Sequence, residues 1–221
     1  MKTKGLSLLA VVALAAGGSQ SAAAQAQAAA TPTKFEAGKH YEVIIPALPP
    51  TGAAPGKVEV AEVFMYGCPH CFAFEPHVQE WLKTKPDYVS FIRIPAPWNQ
   101  IAVLHARAFY TAEMLGKSGV IDEPFFKTFH ADGNYLDTED KLADFFAKLG
   151  VDRDTFQKTF HSFGVDAKVS RANDLVTRYK VKGTPAIVVN GKYLTNGQMS
   201  GSFDTWFAII DELAAKEHAA R

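Results

Sequence analysis

The sequence predicts a mixed α/β fold in which a small sheet is interrupted by a long helical insertion. Three features of the chain carry that expectation. An apolar run from Lys57 to Met65 leads into Cys68-Pro69-His70-Cys71 and then a helical pattern. Residues from about 99 to 178 show almost only helical periodicity. Beyond them, Ala186 to Val189 and Lys192 to Leu194 read as strands joined by Asn190-Gly191, a strong hairpin signal.

The elements follow in order. Lys2 and Lys4 precede an apolar stretch, Leu6 to Ala16, too short to span a bilayer comfortably. Small-residue sites then follow, so residues 1–30 are expected to be a signal peptide cleaved within about 24–30. A retained anchor is the alternative; a lipoprotein is disfavoured because no Cys lies near the cleavage region. Thr31 to Pro55 is rich in Pro, Ala and Gly, with an edge strand at Tyr41 to Ile45 that Pro46, Pro49 and Pro50 terminate. Lys57 to Met65 is a central strand, and alternation puts Glu62 on one face with Val58, Val60 and Phe64. A carboxylate among such neighbours is desolvated, its pKa rises, and it suits a proton acceptor for Cys71; pairing with a cation or turning to solvent is the alternative.

From Cys68 a helix runs to about Lys83, kinked by Pro76, with Glu75 able to tune the motif's charge or to sit in solvent. Tyr88 to Ile94 is a further strand, closed by Pro95 and Pro97. Helices are then expected at Ile101 to Lys117, at Glu123 to about His130 with Pro124 near its start, and after a Thr138 cap. Asp152 caps another, and Asp166 to Tyr179 completes the insertion, whose phenylalanines belong to its core. His105, His130 and His161 share no metal-ligand spacing and read as ordinary histidines. A helix from Phe203 to Lys216, capped by Ser202, ends the chain.

Composition narrows the function. The chain has 221 residues, with Lys+Arg and Asp+Glu equal at 23 each, so no global field points to nucleic acid or an anionic membrane. The chain's 2 cysteines both lie in the Cys-x-x-Cys motif. A purely structural bridge there would close so short a loop that it removes little unfolded-chain entropy, and zinc would need ligands beyond one cysteine pair. Redox chemistry is the stronger reading. A free thiol with a pKa of about 8.5 is only ~3% thiolate at pH 7. At a helix's first turn, unpaired N–H groups and the dipole favour the anion, so Cys68 is placed to be a thiolate. His70 adds charge or a hydrogen bond, and Cys71, one turn later, can resolve a mixed disulfide on Cys68. Export would place the pair in an oxidising compartment, where it can act as an oxidant.

Taken together, Cys68-Pro69-His70-Cys71 followed by Phe-x-Phe-Glu, Glu62 six positions earlier, and Gly183-Thr184-Pro185-Ala186 before Val-Asn-Gly-Lys-Tyr resemble the DsbA family of periplasmic thiol:disulfide oxidoreductases. The likeness covers essentially the whole mature region. It implies a thioredoxin fold with an inserted helical domain: residues 31–98 and 179–221 forming the thioredoxin parts and 99–178 the insertion. It also implies a cis Pro185 that, with Thr184, faces the cysteines and binds extended substrate. The implied catalytic set is Cys68, Pro69, His70, Cys71 and Glu62, with no metal and no cofactor beyond the Cys68–Cys71 disulfide. The implied partners are unfolded or reduced exported proteins and a quinone-linked membrane oxidase resembling DsbB, with the protein itself a monomer in the periplasm. Thr184 stands where some relatives have Val, and Tyr66-Gly67 where better-known members have an aromatic pair; both bear on substrate and partner rather than on the chemistry. An isomerase or reductase kept reduced, a peptide-binding holdase and a metal-binding module are the alternatives.

Overall fold

The computed structural model describes residues 34–221; the expected leader, residues 1–30, lies outside the described residues. A two-residue edge strand, β1 (Glu42–Val43), precedes β2 (Val58–Phe64), in which all seven residues are buried. Such a strand needs neighbours on both edges and cover on both faces. Helix α1 (Pro69–Thr84) follows, and β3 (Val89–Pro95) lies parallel to β2. Five helices come next: α2 (Gln100–Met114), α3 (Ser118–His130), α4 (Glu139–Lys148), α5 (Arg153–Phe160) and α6 (Phe163–Arg178). The chain then returns through β4 (Ala186–Val189), β5 (Tyr193–Asn196), a single turn α7 (Gly197–Ser200), and α8 (Phe203–Ala219).

The sheet order is β1-β5-β4-β2-β3, antiparallel except for the β2–β3 pair. This is the thioredoxin arrangement with inserted helices that the sequence leads one to expect. Val58 and Val60 face Phe74, Val78 and Trp81 of α1 and Trp206, Ile209 and Leu213 of α8. Ala61 and Val63 face the other way, into a core shared with the insertion through Phe125, Phe126, Phe146 and Phe156. Most of the insertion's phenylalanines are core as expected, but Phe129 is half-buried and Phe163, at the start of α6, is 85% exposed.

The caps hold as expected: Thr138, Asp152 and Ser202 each accept from the backbone N–H three residues on. The hairpin turn has Asn190 at φ 51° and Gly191 at φ 67°, the double positive pair that a tight turn between antiparallel strands favours.

Several boundaries differ from expectation. The first edge strand shrinks to Glu42–Val43, since only there does it pair with β5. Helix α3 begins at Ser118, five residues early, which puts Pro124 inside it; burial of Ile121 beside Phe125 and Phe126 draws the extra turn onto the core. Helix α6 begins at Phe163 because the Ser162 hydroxyl accepts from Val165 N–H and outcompetes a start at Asp166. The turn α7 was not anticipated; Asn196 caps it by accepting from the N–H groups of Gln198 and Met199.

Candidate active site

Strand β2 delivers the chain to Met65-Tyr66-Gly67, and Cys68 then caps α1 in an extended conformation with Pro69 in the first helical turn. Proline suits that position because its missing N–H would have no partner there. The Cys68 N–H donates to the Met65 carbonyl at 3.1 Å, closing the turn before the helix. The Cys68 thiol donates to the Thr184 carbonyl at 3.3 Å. Thr184–Pro185 is a cis peptide, and both residues are half-buried. The two halves of the sequence motif, 116 residues apart, therefore meet at one sulfur atom.

The two cysteines, both free thiols, differ sharply. Cys68 keeps 8% of its surface exposed and Cys71 none, so Cys68 is the one a second protein can reach. Hydrogen bonds to the Cys68 sulfur, first from the Cys71 thiol and then from the Thr184 hydroxyl and the backbone N–H groups of Cys71 and His70, lower its pKa to about 5 against the opposing effect of burial. Burial pushes the Cys71 thiol far up, with its bond to Cys68 and the nearby Glu62 charge adding to the shift. His70 is exposed, and what reaches the sulfur from it is its main-chain N–H; its imidazole has no hydrogen-bond partner among the described residues.

Glu62 sits at the base of this arrangement, 1% exposed. It is desolvated, as the alternation led one to expect, and it also pairs with a cation. Arg93, its cross-strand partner on β3, donates through Nε to Glu62 Oε2 at 2.9 Å. The same guanidinium donates through Nη1 to Asp122 of α3 at 2.6 Å and through Nη2 to Glu75 of α1. Tyr66 adds a hydroxyl that donates to Asp122. Three carboxylates thus share one cation. Burial raises the Glu62 pKa to about 7; Arg93 pulls it down, and the carboxylates of Glu75 and Asp122 push it further up.

Glu75 is buried rather than in solvent. Arg93 and Asp122 were not singled out in the sequence, and Tyr66 was noted there only as a departure ahead of the first cysteine. A lone arginine in the apolar strand Tyr88 to Ile94 was the available signal for Arg93; Asp122 and Tyr66 are brought in by packing of the insertion and carry no local pattern. His130, read as an ordinary histidine, also reaches the motif: its Nε2 donates to the Tyr66 carbonyl at 2.7 Å.

Beside the cysteines opens a groove of about 620 Å³, lined among others by His70, Val181, Thr184, Pro185, Leu194 and Phe203. A second groove, about 770 Å³, runs along β3, with Arg93 and Asp122 in its wall.

Known proteins resemble this chain in sequence and in fold. Residues 59–207 match the family described as DSBA-like thioredoxin domain. The thiol:disulfide interchange protein DsbA of Pseudomonas syringae pv. tomato is 38% identical over 190 residues, covering 84% of this chain and 86% of that protein. The crystal structure of Pseudomonas aeruginosa DsbA superposes with a TM-score of 0.78 at 37% identity, covering 84% of this chain and 96% of that one. The oxidoreductase DsbA from Xylella fastidiosa gives a TM-score of 0.78 at 32% identity, covering 84% and 98%.

Proposed function

We propose that this chain, which belongs to the DSBA-like thioredoxin family and is a protein thiol:disulfide oxidoreductase, works as an exported dithiol oxidase that gives its Cys68–Cys71 disulfide to folding proteins. A client thiolate attacks the Cys68 sulfur, forming a mixed disulfide and releasing Cys71 as a thiolate. Cys71 holds its proton strongly, so it takes one at once; Glu62, titrating near neutral pH, is the proposed donor. A second client thiolate then attacks the client's own sulfur, and Cys68 leaves as a thiolate. The client gains a disulfide and the enzyme is left reduced.

The single observation that carries the reading is the opposite setting of the two thiols, Cys68 held near 5 and Cys71 pushed far above an ordinary thiol. Whatever stabilises the Cys68 thiolate makes it a good leaving group, and by stabilising the reduced form it makes the disulfide oxidising. Pro69 starts the helix whose N–H groups face the sulfur, and the His70 N–H is one of them. The groove beside Thr184 and Pro185 supports binding of an extended client, with the backbone at Thr184 offering strand-like pairing. We place the protein in the periplasm after removal of residues 1–30, as a monomer re-oxidised by a membrane oxidase resembling DsbB. No cofactor beyond the disulfide is needed. We keep 31–98, 99–178 and 179–221 as the proposed division of the mature chain. The isomerase, holdase and metal-module readings find no supporting observation among the described residues.

The test is capture. Cys71→Ser, which cannot resolve or re-form the pair, should accumulate a mixed disulfide through Cys68 when its thiol is activated and a reduced unfolded protein is added. Accumulation through Cys71 in the complementary Cys68→Ser variant, at an equal rate, would contradict the assignment.

A further inference from the structure

One helix of the insertion grips the residue two places before the reactive cysteine. The Tyr66 ring stacks on Phe125 with centroids 3.9 Å apart and planes 16° apart, and its hydroxyl donates to Asp122. Its carbonyl accepts from His130 Nε2 at 2.7 Å. A carbonyl oxygen only accepts, so Nε2 carries the proton at this contact whatever the charge on the ring. The His130 ring in turn stacks on Phe72, with centroids 4.7 Å apart and planes 8° apart. Phe72 lies in the first turn of α1, where its N–H bonds to the Cys68 carbonyl at 3.1 Å. The imidazole therefore bridges the loop entering Cys68 and the helix that Cys68 caps.

That bridge has a physical reason to matter. Gly67 separates Tyr66 from Cys68, and glycine leaves the peptide between them freer to rotate than any other residue would. An added Cβ at Gly67 would sit 3.2 Å from the Phe129 ring, which would have to give by a few tenths of an ångström. With glycine there, the adjoining carbonyl gains from an outside hold. We propose that His130 is a positioning residue for Cys68: by donating to the Tyr66 carbonyl it fixes the turn that aims the sulfur at the N–H groups of α1 and at Thr184. Once released, that carbonyl can turn, the Met65–Cys68 turn loosens, and the thiolate loses part of its stabilisation. The inference rests on the thiolate reading of Cys68 above.

Four proteins test it: the wild type, His130→Ala, His130→Phe (a ring for Phe72 with no donor) and His130→Gln (a donor with no ring). Each is titrated for its Cys68 thiolate by ultraviolet absorbance and equilibrated with glutathione. Loss of one net hydrogen bond to the loop should raise the thiolate midpoint in the Ala and Phe variants and shift the glutathione equilibrium about 3- to 10-fold toward the oxidised enzyme. His130→Gln should stay within about twofold of wild type, since its amide restores the donor. Should His130→Ala fail to fold, the Phe variant carries the comparison. Ala and Phe variants that melt earlier but keep the wild-type midpoint and equilibrium would overturn the proposal. So would a Gln variant shifted as far as Ala, or a Phe variant not shifted at all. A wild-type Cys68 that titrates like a free thiol contradicts the oxidase reading and this one with it, whereas a low wild-type midpoint that stays put in the Ala and Phe variants overturns only the positioning role.

Discussion

Cys68 and Glu62 are two groups whose surroundings push their proton affinities in opposite directions from their ordinary values. Cys68 is held down by hydrogen bonds to its sulfur; Glu62 is held up by burial, to about 7 from an ordinary 4.5. A carboxyl with a raised pKa in the folded state keeps a proton that the unfolded chain has lost. Its contribution is therefore full below pH 4.5 and is lost as pH rises toward 7. Glu62→Gln removes that loss while its amide oxygen can still accept from Arg93. In urea unfolding of the oxidised protein, the variant should gain on wild type between pH 4.5 and 7, by up to about 3 kcal/mol. Client oxidation by the variant should also lose any inflection near neutral pH. A constant difference across that window would contradict the assignment. At this scale the sequence was most legible where chemistry is local: the cysteine spacing and the alternation that buried Glu62 could both be read. The partners of Glu62 could not, because Arg93, Glu75 and Asp122 arrive from three separate elements.

Among the elements, the hairpin shows how closely local turn chemistry and tertiary packing can coincide. Gly191 has φ 67°, and a Cβ there would sit 2.0 Å from the Leu48 carbonyl oxygen, while its own carbonyl accepts from Leu48 N–H at 2.9 Å. Gly191→Ala therefore meets both left-handed strain and a backbone clash that no rotamer relieves. It should cost at least about 2 kcal/mol in chemical denaturation, more than strain alone imposes. A loss under about 0.5 kcal/mol would show that the 46–50 segment moves aside freely. Asn190-Gly191 announced the turn in the sequence, but nothing there announced Leu48, which lies 143 positions earlier than Gly191. Helix starts were missed for a related reason. Ser118 and Phe163 begin helices because distant core contacts or a competing cap draw in an extra turn, and local propensity does not record that.

Across the whole molecule, Arg93 joins the sheet, the active-site helix and the insertion through one guanidinium. Its side chain is 6% exposed, and among the described residues it is the one cation bonded to the three carboxylates around it. Arg93→Met should destabilise the protein by about 3–5 kcal/mol at pH 7, because the carboxylates are left buried without compensation. The deficit should shrink toward pH 5 as Glu62 takes up a proton, a trend that urea unfolding at the two pH values measures. A deficit below about 1 kcal/mol at pH 7 would mean the network contributes little to holding the insertion against the sheet. The fold class and the insertion were legible from periodicity and the motif. This coupling was not, since it depends on the register that sets Arg93 against Glu62 and on α3 packing across both.

The most direct test is the thiolate titration of Cys68 in the reduced wild-type protein, followed by ultraviolet absorbance and repeated in Cys71→Ser to assign the signal. The account predicts a midpoint near 5, with Cys68 almost wholly ionised at pH 7. A midpoint at or above about 8, that of an unperturbed thiol, would contradict it.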